Sequence, residues 1–205
     1  MTGRGVVLLV VLALLAVVVT FVGLAHRSSA PTVAVVGDSI TFFAGRDVTA
    51  ALGTKYDADV HSGIGKRIDE MVPTLQAAIR KHPFAVVVNL GTNDARQAQT
   101  HPDWRSGFER MTALLTPARC ALVTTISTVM DGPPGTQTIA SEINQAITAT
   151  VSAHHNLHVV DWNAAVTATN GANLLMPDRV HPSAAGQLTL ASLVRTALYA
   201  ACRQP

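Results

Sequence analysis

The sequence has few charged and few aromatic residues. Among its 205 residues 14% are charged and 4% are aromatic, whereas 48% are hydrophobic. A disordered chain needs low hydrophobicity and high net charge, so this composition excludes one. The net charge of +2 comes from Arg4 and Arg27, because the remaining basic and acidic residues balance. The rest of the chain is neutral and lacks the electrostatic footprint of a nucleic-acid-binding protein, so we predict no nucleic-acid partner.

Cysteines and metal-ligand clusters are also scarce. There are two cysteines, Cys120 and Cys202. In an oxidising compartment the two can form a disulfide, and the alternative is a pair of buried free thiols. His, Cys and carboxylate side chains do not cluster at the spacing of metal ligands, and we interpret His154, His155 and His158 as a polar surface. The sequence therefore predicts no metal site.

The most apolar segment lies at the N-terminus, where residues 6–25 contain no charged residue. About 20 helical residues span the ~30 Å hydrocarbon core of a bilayer. We therefore predict one hydrophobic helix here and interpret residues 1–31 as an uncleaved signal anchor with a short linker. A cleaved signal peptide is the alternative, because the small residues Ala25 and Ala30 offer cleavage sites. Both interpretations place residues 32–205 outside the cytoplasm, and the signal anchor would also attach them to the membrane.

From residue 32 onward, short apolar runs alternate with longer amphipathic ones. The apolar runs predict strands at residues 33–36, 57–61, 85–90, 121–126 and 158–161. The amphipathic runs predict helices at residues 48–52, 68–81, 104–115, 138–153 and 184–201. Strands that are each followed by a helix indicate one α/β domain with a parallel sheet and right-handed crossovers.

The last predicted helix has the clearest pattern. Leu188, Ala191, Val194 and Leu198 follow one another at helical spacing, which predicts that they form its buried stripe. Ser183 stands directly before this helix and is predicted to cap its N-terminus.

Four polar or glycine-rich motifs follow predicted strands or precede the last helix. They are Gly37-Asp38-Ser39-Ile40, Gly63-Ile64-Gly65, Gly91-Thr92-Asn93-Asp94 and Asp178-Arg179-Val180-His181. In open parallel sheets, functional residues collect beyond the carboxyl ends of the strands. A hydroxyl, an Asp/His pair and small or amide donors are the groups that acyl transfer through a serine nucleophile requires.

Each motif also has a structural interpretation. Ser39 could cap a helix, Gly63 and Gly65 could shape a turn, and Asn93 could adopt a left-handed or capping conformation. An Asp-x-x-His spacing is expected by chance about 0.5 times in such a chain. The functional hypothesis therefore depends on the motifs occurring together.

Taken together, the motifs resemble the four blocks of the SGNH hydrolases, also called the GDSL esterase/lipase family. The resemblance covers residues 32–205. It implies a flavodoxin-like three-layer sandwich with a five-stranded parallel sheet of order 2-1-3-4-5, and no cofactor. The Gly91-Thr92-Asn93 form is similar to the lysophospholipase and platelet-activating-factor acetylhydrolase-like branch.

The resemblance also implies roles for single residues. Ser39 would be the nucleophile, His181 the general base and Asp178 the residue that orients the imidazole. Backbone N–H groups of Ser39 and Gly65 would form the oxyanion hole together with the Asn93 side chain. Gly63 is the alternative to Gly65, and we favour Gly65 by its spacing from the preceding strand.

These residues predict an exported, membrane-anchored serine hydrolase that cleaves acyl esters. The candidate substrates are lipid or lysolipid esters and O-acyl groups of envelope polysaccharide. An O-acyltransferase that uses the same triad on envelope glycans or lipids is the alternative. A non-catalytic binding domain is a third hypothesis, although a competent residue fills every catalytic position.

Overall fold

A computed structural model of the protein describes residues 30–202. From Pro31 onward the chain forms one compact unit. The predicted hydrophobic helix at residues 6–25 and the predicted signal anchor lie outside the described residues. None of the helices within residues 30–202 has both the length and the apolar character needed to cross a bilayer.

The centre of the fold is a five-stranded parallel sheet. Its strands are β1 (Thr32–Gly37), β2 (Asp57–Ser62), β3 (Ala85–Asn89), β4 (Ala121–Thr124) and β5 (Leu157–Val160). They are ordered β2-β1-β3-β4-β5, and all neighbouring pairs are parallel. The predicted α/β class and strand order are confirmed.

Helices cover both faces of the sheet. They are α1 (Ser39–Leu52), α2 (Ile68–Ile79), α3 (Thr92–Arg96), α4 (Trp104–Leu115), α5 (Thr136–Ala153), α6 (Trp162–Ala168) and α7 (Ala184–Ala201). Side chains of α2, α4 and α5 form one core layer with Val86 and Val88, and side chains of α1, α6 and α7 form the other with Val33 and Val87. Alternate residues of β3 therefore enter opposite layers, as expected for a strand buried on both faces.

The first helix is longer than its sequence pattern predicts. It begins at Ser39 instead of Val48, because the chain passes from β1 into α1 without a loop. The Asp38 side chain caps this early start by accepting a hydrogen bond from the Ile40 N–H at 2.9 Å. The Gly37–Ile40 motif is thus the start of a helix as well as the end of a strand.

The predicted buried stripe on α7 is wrong at one residue. Leu188 is 62% exposed, and Leu190 occupies the core in its place, together with Ala191, Val194 and Leu198. Two residues along a helix correspond to about 200° of rotation, so Leu188 and Leu190 face opposite sides. Ser183 caps α7, since its Oγ accepts the Gly186 N–H at 3.2 Å.

A disulfide links the sheet to the C-terminal helix. Cys120 directly precedes β4, and Cys202 directly follows α7. Their sulfurs are bonded, and their Cα atoms lie 5.8 Å apart. The bond closes a loop with a sequence separation of 82 residues, and this loop contains β4, α5, β5, α6 and α7.

Candidate active site

The four sequence motifs meet at the carboxyl edge of the sheet. β1 and β3 are hydrogen-bonded neighbours, with Gly37 opposite Asn89 at their carboxyl ends. The winding of the sheet reverses between these two strands, and open α/β sheets bind ligands at such a point. The chain therefore emerges from both strands side by side, toward Ser39 in one case and Asn93 in the other.

Close packing fixes where Ser39 begins its helix. A Cβ at Gly37 would collide with the Thr41 side chain and with the Asn89 carbonyl oxygen, so glycine is required there. Ser39 is the first residue of α1 and is 3% exposed. Its hydroxyl is thus held at the mouth of the sheet on a rigid element.

Ser39, His181 and Asp178 form one hydrogen-bonded chain. The Ser39 Oγ lies 3.0 Å from the His181 Nε2, and the His181 Nδ1 lies 2.6 Å from the Asp178 Oδ2. Because an ionised carboxylate only accepts, we assign the proton to Nδ1, which leaves Nε2 to accept from the serine hydroxyl. The structure therefore brings together three residues that the sequence separates by up to 142 positions.

The Asp178 carboxylate is held in its charged form. Burial acts to raise its pKa, but hydrogen bonds from the His181 ring and from the backbone N–H groups of Val180 and His181 lower the pKa below its ordinary value. The two backbone bonds end on Oδ1 at 2.9 and 3.1 Å. Asp178 is thus fixed before it orients the imidazole.

Phe43 and Arg179, to which the sequence analysis gave no role, hold the His181 ring and the loop that carries it. The Phe43 ring lies 5.0 Å from the His181 ring, centroid to centroid. Arg179, whose φ is 55°, donates from Nη2 to the Val129 carbonyl at 3.1 Å. Phe43 is one helical turn beyond Ser39, so a correct start for α1 would have placed it on the same helix face.

The loop after β2 is hydrogen-bonded to the segment before Ser39 and to the Asn93 side chain. The Gly63 N–H donates to the Gly37 carbonyl at 3.0 Å, and the Asn93 Nδ2 donates to the Lys66 carbonyl at 3.0 Å. Gly65 lies between these two anchors with a φ of 73°, and a Cβ there would meet no atom within 4 Å. The Gly63 N–H is therefore already engaged, whereas Gly65 faces open space.

A side-chain pair braces this loop from behind. The Gln97 Nε2 donates to the Gly65 carbonyl at 3.0 Å, and the Arg67 Nη1 donates to the Gln97 Oε1 at 3.1 Å. The sequence analysis did not identify either residue. Because Gln97 comes four residues after Asn93, recognising α3 as a helix would have placed the two on one side.

Two buried carboxyl groups lie beneath the site. Burial is the main cause that raises the pKa of Asp38 to about 7 and that of Asp94 to about 6, and the negative charge of Asp94 adds to the effect on Asp38. The Asp94 Oδ2 accepts the Ile68 N–H at 3.0 Å and so ties the third motif to the start of α2. No group of three His, Cys, Asp or Glu side chains within residues 30–202 is placed to hold a metal ion.

Solved structures share this architecture at low sequence identity. The C-terminal catalytic domain of Streptococcus pneumoniae peptidoglycan O-acetyltransferase A is similar with a TM-score of 0.71 and 17% identity, over 87% of this chain and 98% of that one. An Enterococcus faecalis lipase/acylhydrolase gives 0.70 and 22%, over 85% and 100%. The acetylxylan esterase Axe2 from Geobacillus stearothermophilus gives 0.63 and 19%, over 81% and 93%. These similarities show the fold.

The sequence itself matches a known family. No curated protein matches the chain. The profile of the GDSL-like Lipase/Acylhydrolase family, however, matches residues 35–188. This range covers the four motifs and most of the sheet, and the expected resemblance is confirmed at the level of the family. The chain therefore belongs to the GDSL-like lipase/acylhydrolase family.

Proposed function

We propose that this protein is a serine esterase that cleaves carboxylic acyl esters through an acyl-enzyme. The observation that carries the proposal is the hydrogen-bonded chain from the Ser39 Oγ through His181 to Asp178, with distances of 3.0 and 2.6 Å. Nucleophile and base are within hydrogen-bonding reach, and a third group orients the base.

In the first step, the Ser39 Oγ attacks the ester carbonyl carbon while its proton moves to the His181 Nε2. Asp178 stabilises the imidazolium through the Nδ1–H bond. When the tetrahedral intermediate collapses, the bond to the alcohol oxygen breaks, and His181 returns the proton to that oxygen. The acyl group then remains on Ser39 as an ester.

The negative oxygen of the intermediate needs donors that are in place beforehand. We assign these to the backbone N–H groups of Ser39 and Gly65 and to the second amide hydrogen of Asn93. The first hydrogen of the Asn93 amide is used by the Lys66 carbonyl, which orients the group. The engaged Gly63 N–H supports Gly65 as the backbone donor of this loop.

In the second step, an acceptor removes the acyl group from Ser39. Water activated by His181 makes the protein an esterase, whereas an alcohol would make it an O-acyltransferase. The fold similarity to a peptidoglycan O-acetyltransferase domain supports the transferase as the second candidate. Product analysis with and without an added sugar alcohol separates them, because transfer moves acetate to the sugar and lowers free acetate.

We further propose that the domain works outside the cytoplasm, attached to the membrane by residues 6–25. Two observations support this location: the 20 uncharged residues at the N-terminus and the disulfide between Cys120 and Cys202. Disulfides persist in oxidising compartments. The relationship to the lysophospholipase and platelet-activating-factor acetylhydrolase-like branch remains part of the proposal and is supported by the motif at residues 91–94.

Labelling with a serine-reactive fluorophosphonate tests the proposed function. We expect the full chain in detergent to be labelled and Ser39→Ala to be unlabelled. Ser152→Ala, which changes an exposed serine on α5, is the matched control and should label like wild type. On 4-nitrophenyl acetate, Ser39→Ala should lose at least about 10³-fold in kcat/KM. Equal labelling of wild type and Ser39→Ala would contradict Ser39 as the nucleophile.

A further inference from the structure

An open groove lies between α1 and β2 at the edge of the sheet. It has a volume of about 500 Å³, which lies in the range of small-molecule sites. Its walls include Phe42, Arg46 and Thr49 of α1 and Val60 and Ser62 of β2. We call it the edge groove, since β2 is an outer strand of the sheet.

One end of the edge groove lies at the first turn of α1, the helix that begins with the proposed nucleophile. Phe42 comes three residues after Ser39, within the first turn of α1. On the opposite wall, Ser62 directly precedes Gly63, whose N–H is bonded to the Gly37 carbonyl. One end of the groove therefore opens between the helix that starts with Ser39 and the loop that leads to Gly65.

The floor of the edge groove is closed. A Cβ at Gly45 would lie 3.2 Å from the Val60 Cγ1, so α1 approaches β2 closely at this point. Half of the lining residues are polar, namely Thr41, Arg46, Thr49 and Ser62. An acyl chain needs an apolar channel, and a shallow groove with this lining does not provide one.

Two wall residues expose side chains that the fold uses little. The Phe42 ring meets the neighbouring Phe43 ring edge-on, with 5.5 Å between centroids. The Phe42 side chain is 54% exposed although it is aromatic. Within residues 30–202, no side chain pairs with the exposed Arg46 guanidinium. The two residues are four apart on α1 and so lie on the same helix face. A flat apolar ring and a fork of N–H donors are therefore presented side by side next to Ser39.

We infer that the edge groove binds the sugar residues of an O-acylated carbohydrate while the acyl group reaches Ser39. This inference rests on the proposed esterase or transferase activity. A sugar ring has C–H groups on its faces, which can lie against the Phe42 ring, and hydroxyl groups at its rim, which accept from Arg46. The hydroxyls of Thr49 and Ser62 supply further polar contacts. The alcohol half of the substrate is thus a carbohydrate and the recognised unit extends beyond the ester.

Kinetics on three ester classes test this inference. The substrates are O-acetylated xylohexaose and O-acetylated chitohexaose, with 4-nitrophenyl acetate as the small ester and lysophosphatidylcholine as the lipid ester. We expect Phe42→Ala and Arg46→Gln each to lower kcat/KM for an acetylated oligosaccharide about tenfold more than for 4-nitrophenyl acetate, mainly through KM. Tyr199→Ala and Arg195→Gln, an aromatic and an arginine exposed on α7, are the matched controls and should show no such difference.

Binding measured in the Ser39→Ala background separates the groove from the chemistry. Both oligosaccharides stay intact there, and Phe42→Ala should weaken the binding of at least one of them about tenfold by calorimetry. Equal losses on all esters would overturn the inference, because Phe42 would then act only through Phe43 and His181. Losses of the two variants that are confined to lysophosphatidylcholine would also overturn the inference. The same holds if wild type cleaves 4-nitrophenyl acetate and neither oligosaccharide binds. Failure of the proposed function is different: Ser39→Ala would then remain active on every ester.

Discussion

Replacing Asp38 with asparagine tests how burial beside the nucleophile affects stability. The Asp38 side chain is completely buried, and its Oδ1 accepts the Ile40 N–H at 2.9 Å. Burial, with repulsion from Asp94, raises the pKa of Asp38 from its ordinary 3.8 to about 7. Asparagine keeps an oxygen for the Ile40 N–H and removes the titration. The variant should therefore lose a specific part of the pH dependence.

The sign follows from proton linkage. A carboxyl whose pKa is raised by folding keeps a proton that the unfolded chain has already released, so rising pH destabilises the native state. One pKa unit corresponds to about 1.4 kcal/mol, and pH 5 lies about two units below the pKa of Asp38, so this residue costs about 3 kcal/mol between pH 5 and pH 8. Asp94, with a pKa of about 6, adds about 1.4 kcal/mol. Asp178, whose pKa is lowered, stays charged throughout this range and contributes no slope.

Urea unfolding of residues 30–205 measures this difference. Trp104 and Trp162 are buried, so their fluorescence reports the transition. Between pH 5 and pH 8, the unfolding free energy of wild type should fall by about 3 kcal/mol more than that of Asp38→Asn. Asp57→Asn changes an exposed carboxyl and should follow wild type. Identical pH dependence in wild type and Asp38→Asn would refute the reasoning.

Three further predictions concern the site and the disulfide. Asp178→Asn removes the acceptor for the His181 Nδ1–H and should lower kcat on 4-nitrophenyl acetate about 10³- to 10⁴-fold, and an unchanged kcat would exclude an orienting role. Asn93→Ala should lower kcat about 10²- to 10³-fold with little change in KM, and an effect on KM alone would argue against an oxyanion donor. Replacing Cys120 and Cys202 together by serine should lower the unfolding free energy by about 4.5 kcal/mol, from the chain entropy of a loop with a separation of 82 residues. Equal urea midpoints for this double variant and wild type would contradict that estimate.

The buried strand β3 and the helix α4 were predictable because burial selects their residues in a regular pattern along the sequence. Ala85–Val88 is apolar throughout, since β3 faces a core layer on each side. The helix at residues 104–115 was also predicted with its observed bounds. Burial selects residue type locally, so elements of this kind can be identified without knowledge of the rest of the fold.

Elements that depend on capping or on distant contacts were harder to predict. The start of α1 at Ser39 depends on a cap from Asp38, and the sequence analysis interpreted this motif as a loop position after the first strand. The short helix α3 spans Thr92–Arg96 and is too short to show a period. Spacing favoured Gly65 but left Gly63 as an alternative, because the carbonyl that accepts the Gly63 N–H belongs to Gly37, on another strand.

The catalytic residues of the site were predictable from the sequence, but the contacts that position them were not. Ser39, Asp178 and His181 belong to motifs that are recognisable in the sequence. The contacts that hold them, such as Phe43 on the His181 ring, join segments that no local pattern relates. Gln97 likewise reaches Gly65 across 32 positions of sequence. Residues of this kind are selected by geometry that only the folded chain defines.

The disulfide encloses two of the three triad residues in a covalent ring, and this affects what a proteolytic cut does to the site. Asp178 and His181 lie inside the covalent ring closed by Cys120 and Cys202, whereas Ser39 lies outside it. A protease that cuts once in an exposed loop of this ring opens the ring but leaves both fragments joined through sulfur. His181 then stays attached to the part of the chain that carries Ser39. If the domain works outside the cytoplasm, as proposed, it can thus be cut once by a protease and still remain a single covalent molecule.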